Sequence, residues 1–340
     1  MLEKPALDER LICTQLRDHF DLSISDLTFL PLGADQNTAA YRAVAKDGTG
    51  YFVKLRGGGF DESAVAVPRY LSELGVREII APLPSNTGQL WSELEGFRMF
   101  LYPFVESRDA YEVEMSPRRW REFGAALRRI HDAPLPPALI ALTRREAYSS
   151  RWREQLGAFL GITDTTAFAD PAAGAMAAIL REQRPAIAAL IDHAGRLAEY
   201  LRGQPLPFVL CHSDLHAGNV VFGDNRLYLV DWDQPILAPR ERDLMYPGGA
   251  QGFRGHAPEE EEHLFFEGYG TVEIDTAAVA YYRFERIVED LAVFGEQLLL
   301  SDDGGEDRAQ SVRYVKSNFQ PGGTIERAYA ALSRGSAGGE

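Results

Sequence analysis

Cysteine is scarce in this chain. Only Cys13 and Cys211 occur in 340 residues, at unrelated positions. That excludes both a disulfide framework and a clustered-cysteine zinc site, and it fits a reducing compartment. Also missing is any apolar run near the ~18 residues of a membrane span. The first sixteen residues, MLEKPALDERLICTQL, set acidic side chains where a secretory leader is basic, with no sustained apolar stretch behind them. We therefore expect a soluble, cytoplasmic protein with no membrane partner. An excess of positive charge is absent too, the formal net charge being −15. Binding nucleic acid requires clustered Lys and Arg against the phosphates, so nucleic acid is not expected as a main partner. An acidic surface serves solubility, and it would also draw in a cationic small molecule. No G-x-x-x-x-G-K-[ST] sequence occurs, which argues against a P-loop enzyme, and no internal repeat is found.

What is present fits a two-lobed enzyme. The chain is 45% apolar and 25% charged, and it exceeds the size at which one core usually keeps growing. Short runs rich in aromatic and β-branched residues at 27–32, 38–45, 51–55 and 97–102 read as strands, with Gly33, Asp47, Gly48 and Gly57 to Gly59 as turn signals. Between the third and fourth, residues 62–74 carry helical spacing and stop at Gly75. After Phe104 the character turns helical. Ser116 and Pro117 form an N-cap and N1 pair, followed by Trp120, Phe123, Leu127 and Ile130 on one face of a helix to about His131. A second long helix is written in 275–299, with Ala280, Phe284, Ile287, Val288, Leu291, Phe294 and Leu298 as its stripe and Glu285, Arg286 and Glu289 off it. Glu259 to Glu262 reads as a solvated helix start, and 301–307 as a polar turn. The expected fold class is α+β: a small antiparallel-sheet lobe with one main helix over 1–104, a larger, mostly helical lobe over 105–332, and a disordered tail at 333–340.

The most specific feature lies between two apolar strand-like runs, 208–210 and 227–230. Cys211 to Asn219 reads CHSDLHAGN, with the form H-x-D-x-x-x-x-N, and Asp231 follows twelve positions past Asn219. Phosphoryl transfer to an alcohol needs a carboxylate to orient the hydroxyl and accept its proton, and oxygen ligands to hold magnesium on the nucleotide phosphates. Asp214 fits the first role, Asn219 and Asp231 the second. A polar turn of the same composition is the plainer reading. What favours the chemical one is Lys54, a cation at the end of an apolar strand, which would hold the α and β phosphates if an acid from the next helix fixed it. Glu62 is the candidate partner and Asp61 the alternative. Between the first two strands, Gly33, Asp35, Asn37 and Thr38 could cover phosphates through backbone N–H groups, although one Gly makes a weak signal. Tyr102, Phe104 and Val105 join the lobes, where an adenine would receive backbone hydrogen bonds.

The order Lys54, Glu62, His212-Ser-Asp214, Asn219, Asp231 resembles the protein-kinase-like fold, and the HSDLHAGN and VDWD forms resemble its aminoglycoside phosphotransferase branch. Protein kinases carry Arg at the place of Ser213, Phe-Gly after the metal-binding Asp, and an activation segment ending in Ala-Pro-Glu, none of which stands here. The stretches at 33–38, 51–54, 120–131, 211–219, 231–235, 237–245 and 286–292 carry the resemblance. It implies a bilobal fold, ATP and Mg²⁺ as cofactors, and phosphorylation of a hydroxyl on an aminocyclitol or aminoglycoside by a protein we expect to be monomeric.

Substrate contacts lie on loops and transfer least. Such a substrate is cationic, so acidic groups should line the outer cleft. Asp233 is the first candidate and Glu285 or Glu289 the second, unless Asp233 braces the loop and the glutamates pair with Arg283 or Arg286. Asp243 suits an anchor of the catalytic loop, and His212 a brace within it. Three alternatives remain: a kinase of the same fold acting on another small amino alcohol or sugar, a His/Asp metallohydrolase built on His212, His216, Asp231 and Asp233, and a non-catalytic nucleotide-binding module.

Overall fold

Strands crowd the first hundred residues and helices the rest. The structure is a computed structural model that describes residues 4–32, 37–301 and 305–337. In chain order the elements are α1 (Glu9–Phe20), β1 (Ile24–Leu30), β2 (Thr38–Ala45), β3 (Gly50–Gly57), α2 (Ser63–Glu73), β4 (Ser92–Leu94), β5 (Phe97–Pro103), β6 (Arg108–Asp109), α3 (Pro117–His131), α4 (Pro137–Leu142), β7 (Arg144–Arg145) and α5 (Arg151–Thr165). There follow α6 (Pro171–Glu182), α7 (Arg184–Arg202), β8 (Phe208–Cys211), a 3-10 turn (Ala217–Asn219), β9 (Val220–Gly223), β10 (Arg226–Leu229), β11 (Ile236–Pro239), α8 (Glu241–Leu244), α9 (Pro258–Tyr269), α10 (Thr276–Leu299), α11 (Gly305–Ser317) and α12 (Thr324–Ala337). The expected mix of an antiparallel sheet early and helices late is what forms. Among the described residues no helix is long and apolar enough to cross a membrane.

The chain divides into two compact units. The first comprises Met1–Glu114, Asp132–Thr143 and Ala217–Pro235. Its main sheet is antiparallel, in the order β1-β2-β3-β5-β4. Inward residues of alternate strand positions, Tyr41, Ala43, Val53, Leu55, Met99 and Leu101, pack on Ile12 and Leu16 of α1. The helix α1 and the short strand β4 were not expected from the sequence. The former is capped by Asp8, whose carboxylate accepts the N–H of Arg10 at 3.0 Å. A second sheet of order β10-β9-β6 belongs to the same unit.

That second sheet corrects the expected boundary at residue 104. Strand β6 pairs with β9, the N–H of Ala110 donates to the carbonyl of Val220 at 3.0 Å, and the N–H of Leu229 donates to that of Glu78 at 2.8 Å. Backbone pairing therefore draws residues 217–235 into the first unit, although they were expected with the helices. The segment 132–143 joins it through the packing of α4 on α2.

The second unit comprises Met115–His131, Arg144–His216 and Ile236–Glu340. Its core is α10 ringed by α5, α6, α7, α11 and α12, with Phe159, Leu180, Leu190, Phe284, Val288, Leu291 and Val315 buried together. The long stripe on α10 is buried as its spacing implied except at the half-buried Phe294, and Asp275 caps the helix through the N–H of Ala278. A small sheet of order β7-β11-β8 is antiparallel between β11 and β8 and parallel between β11 and β7. Two expectations change. Residues 305–317 form α11, which takes in 305–307 of the expected polar turn, and α12 runs to Ala337 through part of the segment expected to be a disordered tail.

Candidate active site

Each unit carries part of the chemistry. In the first, Val53 and Leu55 of β3 are buried under the sheet, so the period of two turns Lys54 and Arg56 to the other face. The next two charges come from the segment after β10. Asp231 adopts φ 64°, a conformation costly for a residue with a side chain. Its surroundings hold it there: the N–H of Val230 donates to the carbonyl of Asn219 at 3.0 Å, and the buried Trp232 donates its indole N–H to the carbonyl of Leu229 at 3.0 Å.

These two elements meet in a network of four charges. The Nζ of Lys54 lies 2.9 Å from Oδ1 of Asp231 and 2.6 Å from Oδ1 of Asp233, while Nη1 of Arg56 lies 2.5 Å from Oδ2 of Asp233. Burial works against the Lys54 ammonium, but the two carboxylates outweigh it and raise its pKa. Lys54, Arg56 and Asp233, with Phe60, Phe100 and Tyr102, line one recess of this unit. Two cations with aromatic walls suit phosphate groups attached to a planar base.

Several expected partners are placed differently. Glu62 is exposed, and it makes no side-chain cap bond at the start of α2. Asp61 instead accepts the N–H and the hydroxyl of Ser63, at 2.9 and 2.7 Å, so it is the helix cap. The carboxylates that fix Lys54 come from 231 and 233. Asp233, expected to face the substrate, bridges Lys54 and Arg56. The N–H of Phe104 is engaged by the carbonyl of Gly50 at 3.2 Å, whereas Tyr102 stands at the recess. Thr38 opens β2, and the carbonyl of Asn37 accepts the N–H of Gly57 at 2.8 Å. Gly33 and Asp35 lie outside the described residues. Val105 packs beside Gly223, where a Cβ would come within 2.6 Å of its Cγ1.

In the second unit the loop around Asp214 is pinned from several sides. Ser213 has φ 73°, and Asp243, fully buried, accepts the N–H of His212 at 2.8 Å through Oδ2 and that of Ser213 at 2.7 Å through Oδ1. His131 adds a contact to the same carboxylate at 3.1 Å and meets the hydroxyl of Tyr269 at 2.7 Å on its other nitrogen. The Tyr246 hydroxyl donates to the carbonyl of Ser213 at 2.6 Å, and Nδ1 of His212 accepts the N–H of Asp214 at 3.3 Å. A strained residue is thereby over-determined by buried hydrogen bonds.

Asp214 itself meets Arg286, which the sequence reading offered only as a partner for the glutamates, with Nη1 at 2.7 Å from Oδ1. Burial opposes its ionisation, but Arg286, then His216 and His212, outweigh that and lower its pKa to about 2. The two glutamates proposed for substrate are engaged elsewhere. Glu285 is buried against Arg153 of α5 and pushed up to about 7 by that burial. Glu289 lies 3.9 Å from Arg242, which is equally far from Glu146.

Among the described residues, metal-capable His, Cys, Asp and Glu atoms gather in one group, His131, Cys211 and Asp243, all buried. Its carboxylate already accepts backbone N–H groups, and burial keeps the Cys211 thiol protonated. The group anchors the loop. His212 and His216 are not part of it.

A strand-borne Lys paired with Asp231 and an Asp214 loop anchored on a buried Asp define a kinase-like phosphotransferase. The chain belongs to the phosphotransferase enzyme family, whose model matches residues 28–282. It is similar to the spectinomycin phosphotransferase APH(9)-Ia, solved in complex with ADP and spectinomycin, at 34% identity over 96% of this chain and 99% of that one, with a TM-score of 0.88. It is also similar to Protein StrN of Streptomyces griseus, at 27% identity over 248 residues, 69% of this chain and 73% of that protein. Amicoumacin kinase, at 17% identity and a TM-score of 0.61, shares the fold.

Proposed function

We propose that the protein transfers the γ-phosphoryl group of ATP to a hydroxyl of an aminocyclitol, most closely spectinomycin, and thereby confers resistance to it. The observation that carries this reading is the 34% identity over 96% of the chain to a phosphotransferase solved with ADP and spectinomycin. Lys54 and Arg56 bind phosphate oxygens in this scheme, while the Asp233 carboxylate between them keeps both cations in place. Asn219 and Asp231 offer an amide and a carboxylate oxygen, a donor set of the hard kind magnesium prefers. When bound there, the ion would neutralise phosphate charge.

The substrate hydroxyl attacks the γ-phosphorus, the bond to the β-phosphate oxygen breaks, ADP leaves, and the hydroxyl proton passes to Asp214 and then to water. An acceptor held near a pKa of about 2 takes a proton only as the new O–P bond forms. The main contribution of Asp214 is then orientation. The substrate is a small cation, acted on by a monomer in the cytoplasm. Two free cysteines and the need for ATP support that location.

The test is to incubate purified protein with ATP, Mg²⁺ and a panel of aminocyclitols, aminoglycosides and small amino alcohols, following ADP release and product mass. Phosphorylated spectinomycin supports the reading. Turnover of a metabolite amino alcohol with none of spectinomycin replaces it with the related kinase, and ATP binding without turnover of any alcohol replaces it with a nucleotide-binding module.

A further inference from the structure

Arg286 sits on α10 between two carboxylates. Its Nη1 lies 2.7 Å from Oδ1 of Asp214, and its Nε lies 2.9 Å from Oδ1 of Asp290, one helical turn onward. The same Nη1 reaches the hydroxyl of Tyr246 at 3.4 Å, and that hydroxyl donates to the carbonyl of Ser213. The guanidinium thus grips the loop twice, through the side chain of Asp214 and, by way of Tyr246, through the backbone of the residue before it. Oδ2 of Asp214 faces His216, whose Nε2 is 3.8 Å away.

A carboxylate turns easily about its last torsion, which is broad and roughly two-fold. A planar guanidinium held at its other end removes that freedom. From this arrangement we propose that Arg286 is the positioning residue of Asp214, fixing Oδ1 so that Oδ2 is presented to the substrate hydroxyl, with Asp290 and Tyr246 holding the guanidinium in place. This rests on the catalytic reading of Asp214 given above.

The charged and titratable groups around the pair are His212 and His216 beside Asp214, and Asp290, Tyr246 and Glu289 beside Arg286. Without the guanidinium, Asp214 loses the largest of the charges that oppose its burial, so its proton affinity rises. Positioning therefore leaves a mark in the pH profile that simple support of the fold does not.

The test compares wild type with Arg286→Met, Arg286→Lys and Asp290→Asn. In R286M, kcat should fall by about 10²-fold, the scale of losing one orienting contact, with the KM for ATP unchanged. The acid limb of kcat should move to higher pH, R286K should recover part of the loss, and D290N should fall between wild type and R286M. An unchanged kcat in R286M, or loss of kcat and ATP affinity together with an unmoved acid limb and no rescue by Lys, would overturn the proposal.

A second measurement needs no turnover. Thermal unfolding of D214N, R286M and the double variant at pH 7 should show a Tm loss in the double smaller than the two single losses together. Strict additivity overturns the role of Arg286 alone. A coupled cycle in a protein that phosphorylates no alcohol overturns the catalytic reading of Asp214, and this role with it.

Discussion

Lys54 and Asp233 form the shortest contact of the Lys54 ammonium, 2.6 Å between Nζ and Oδ1, and Asp233 spends its second oxygen on Arg56. The acid that steadies the strand lysine thus follows Asp231 by two positions, and the helix after β3 does not supply it. Exchanging Asp233 for Asn keeps the shape and removes one charge-assisted partner from each cation. Such a bond is worth about 1.5–3 kcal/mol, so D233N should raise the KM for ATP about tenfold or more while leaving the fold intact. Glu62→Gln, at an exposed position, should change it less than about twofold. Steady-state kinetics on the two variants decides, and a larger effect from E62Q would restore the helix acid as the partner.

Asp214→Asn retains one oxygen acceptor but cannot receive the hydroxyl proton. Turnover should fall about 10²–10⁴-fold, the usual range for losing a general base. Lys54 and Arg56 are untouched, so calorimetric affinity for ADP should remain at the wild-type level. Near-normal kcat in this variant would remove Asp214 from the mechanism.

Periodicity and local motifs made much of this legible. Alternation in β3 placed Lys54 opposite the buried Val53 and Leu55, and the loop pattern singled out Asp214, Asn219 and Asp231. What remained hidden was pairing across long separations. Glu285 looked available because it stands off the apolar stripe of α10, yet Arg153, 132 positions earlier, meets it in the interior. Arg286 was matched to the neighbouring glutamates for the complementary reason, since its partner Asp214 lies 72 positions away. Residues 217–235 joined the first unit because β6, a strand of two residues with no sequence signature, pairs with β9.

Helices α3 and α9 touch through two glycines whose missing side chains permit the contact. A Cβ on Gly124 would stand 2.1 Å from the carbonyl oxygen of Phe265 and 2.7 Å from the nitrogen of Tyr269, and one on Gly268 would stand 1.9 Å from the carbonyl oxygen of Arg121. In an open helix, Gly→Ala gains up to about 1 kcal/mol of propensity. Here the overlap is with backbone, which cannot rotate away, and overpacking costs roughly 1–3 kcal/mol or more. Gly124→Ala should therefore destabilise, whereas Gly157→Ala in α5, with nothing within 4 Å, should be neutral or stabilising. Urea unfolding of both variants checks the sign of each.

The run Glu259 to Glu262, expected to be solvated, contains one buried member. Glu261 accepts the N–H of Gly248 at 3.0 Å, and burial pushes its carboxyl up to about 7 from an ordinary 4.5, against the pull of that hydrogen bond and of His256. A folded-state pKa raised above the unfolded value means the contribution to stability is complete below about 4.5 and is lost as pH climbs through 7. Glutamine keeps the carbonyl acceptor and cannot ionise. Glu261→Gln should thus match wild type near pH 4.5 and become more stable than it above pH 7, by on the order of 1–3 kcal/mol. Denaturant melts at the two pH values measure that difference. A gap between variant and wild type that stays constant with pH would mean that Glu261 remains charged within the fold.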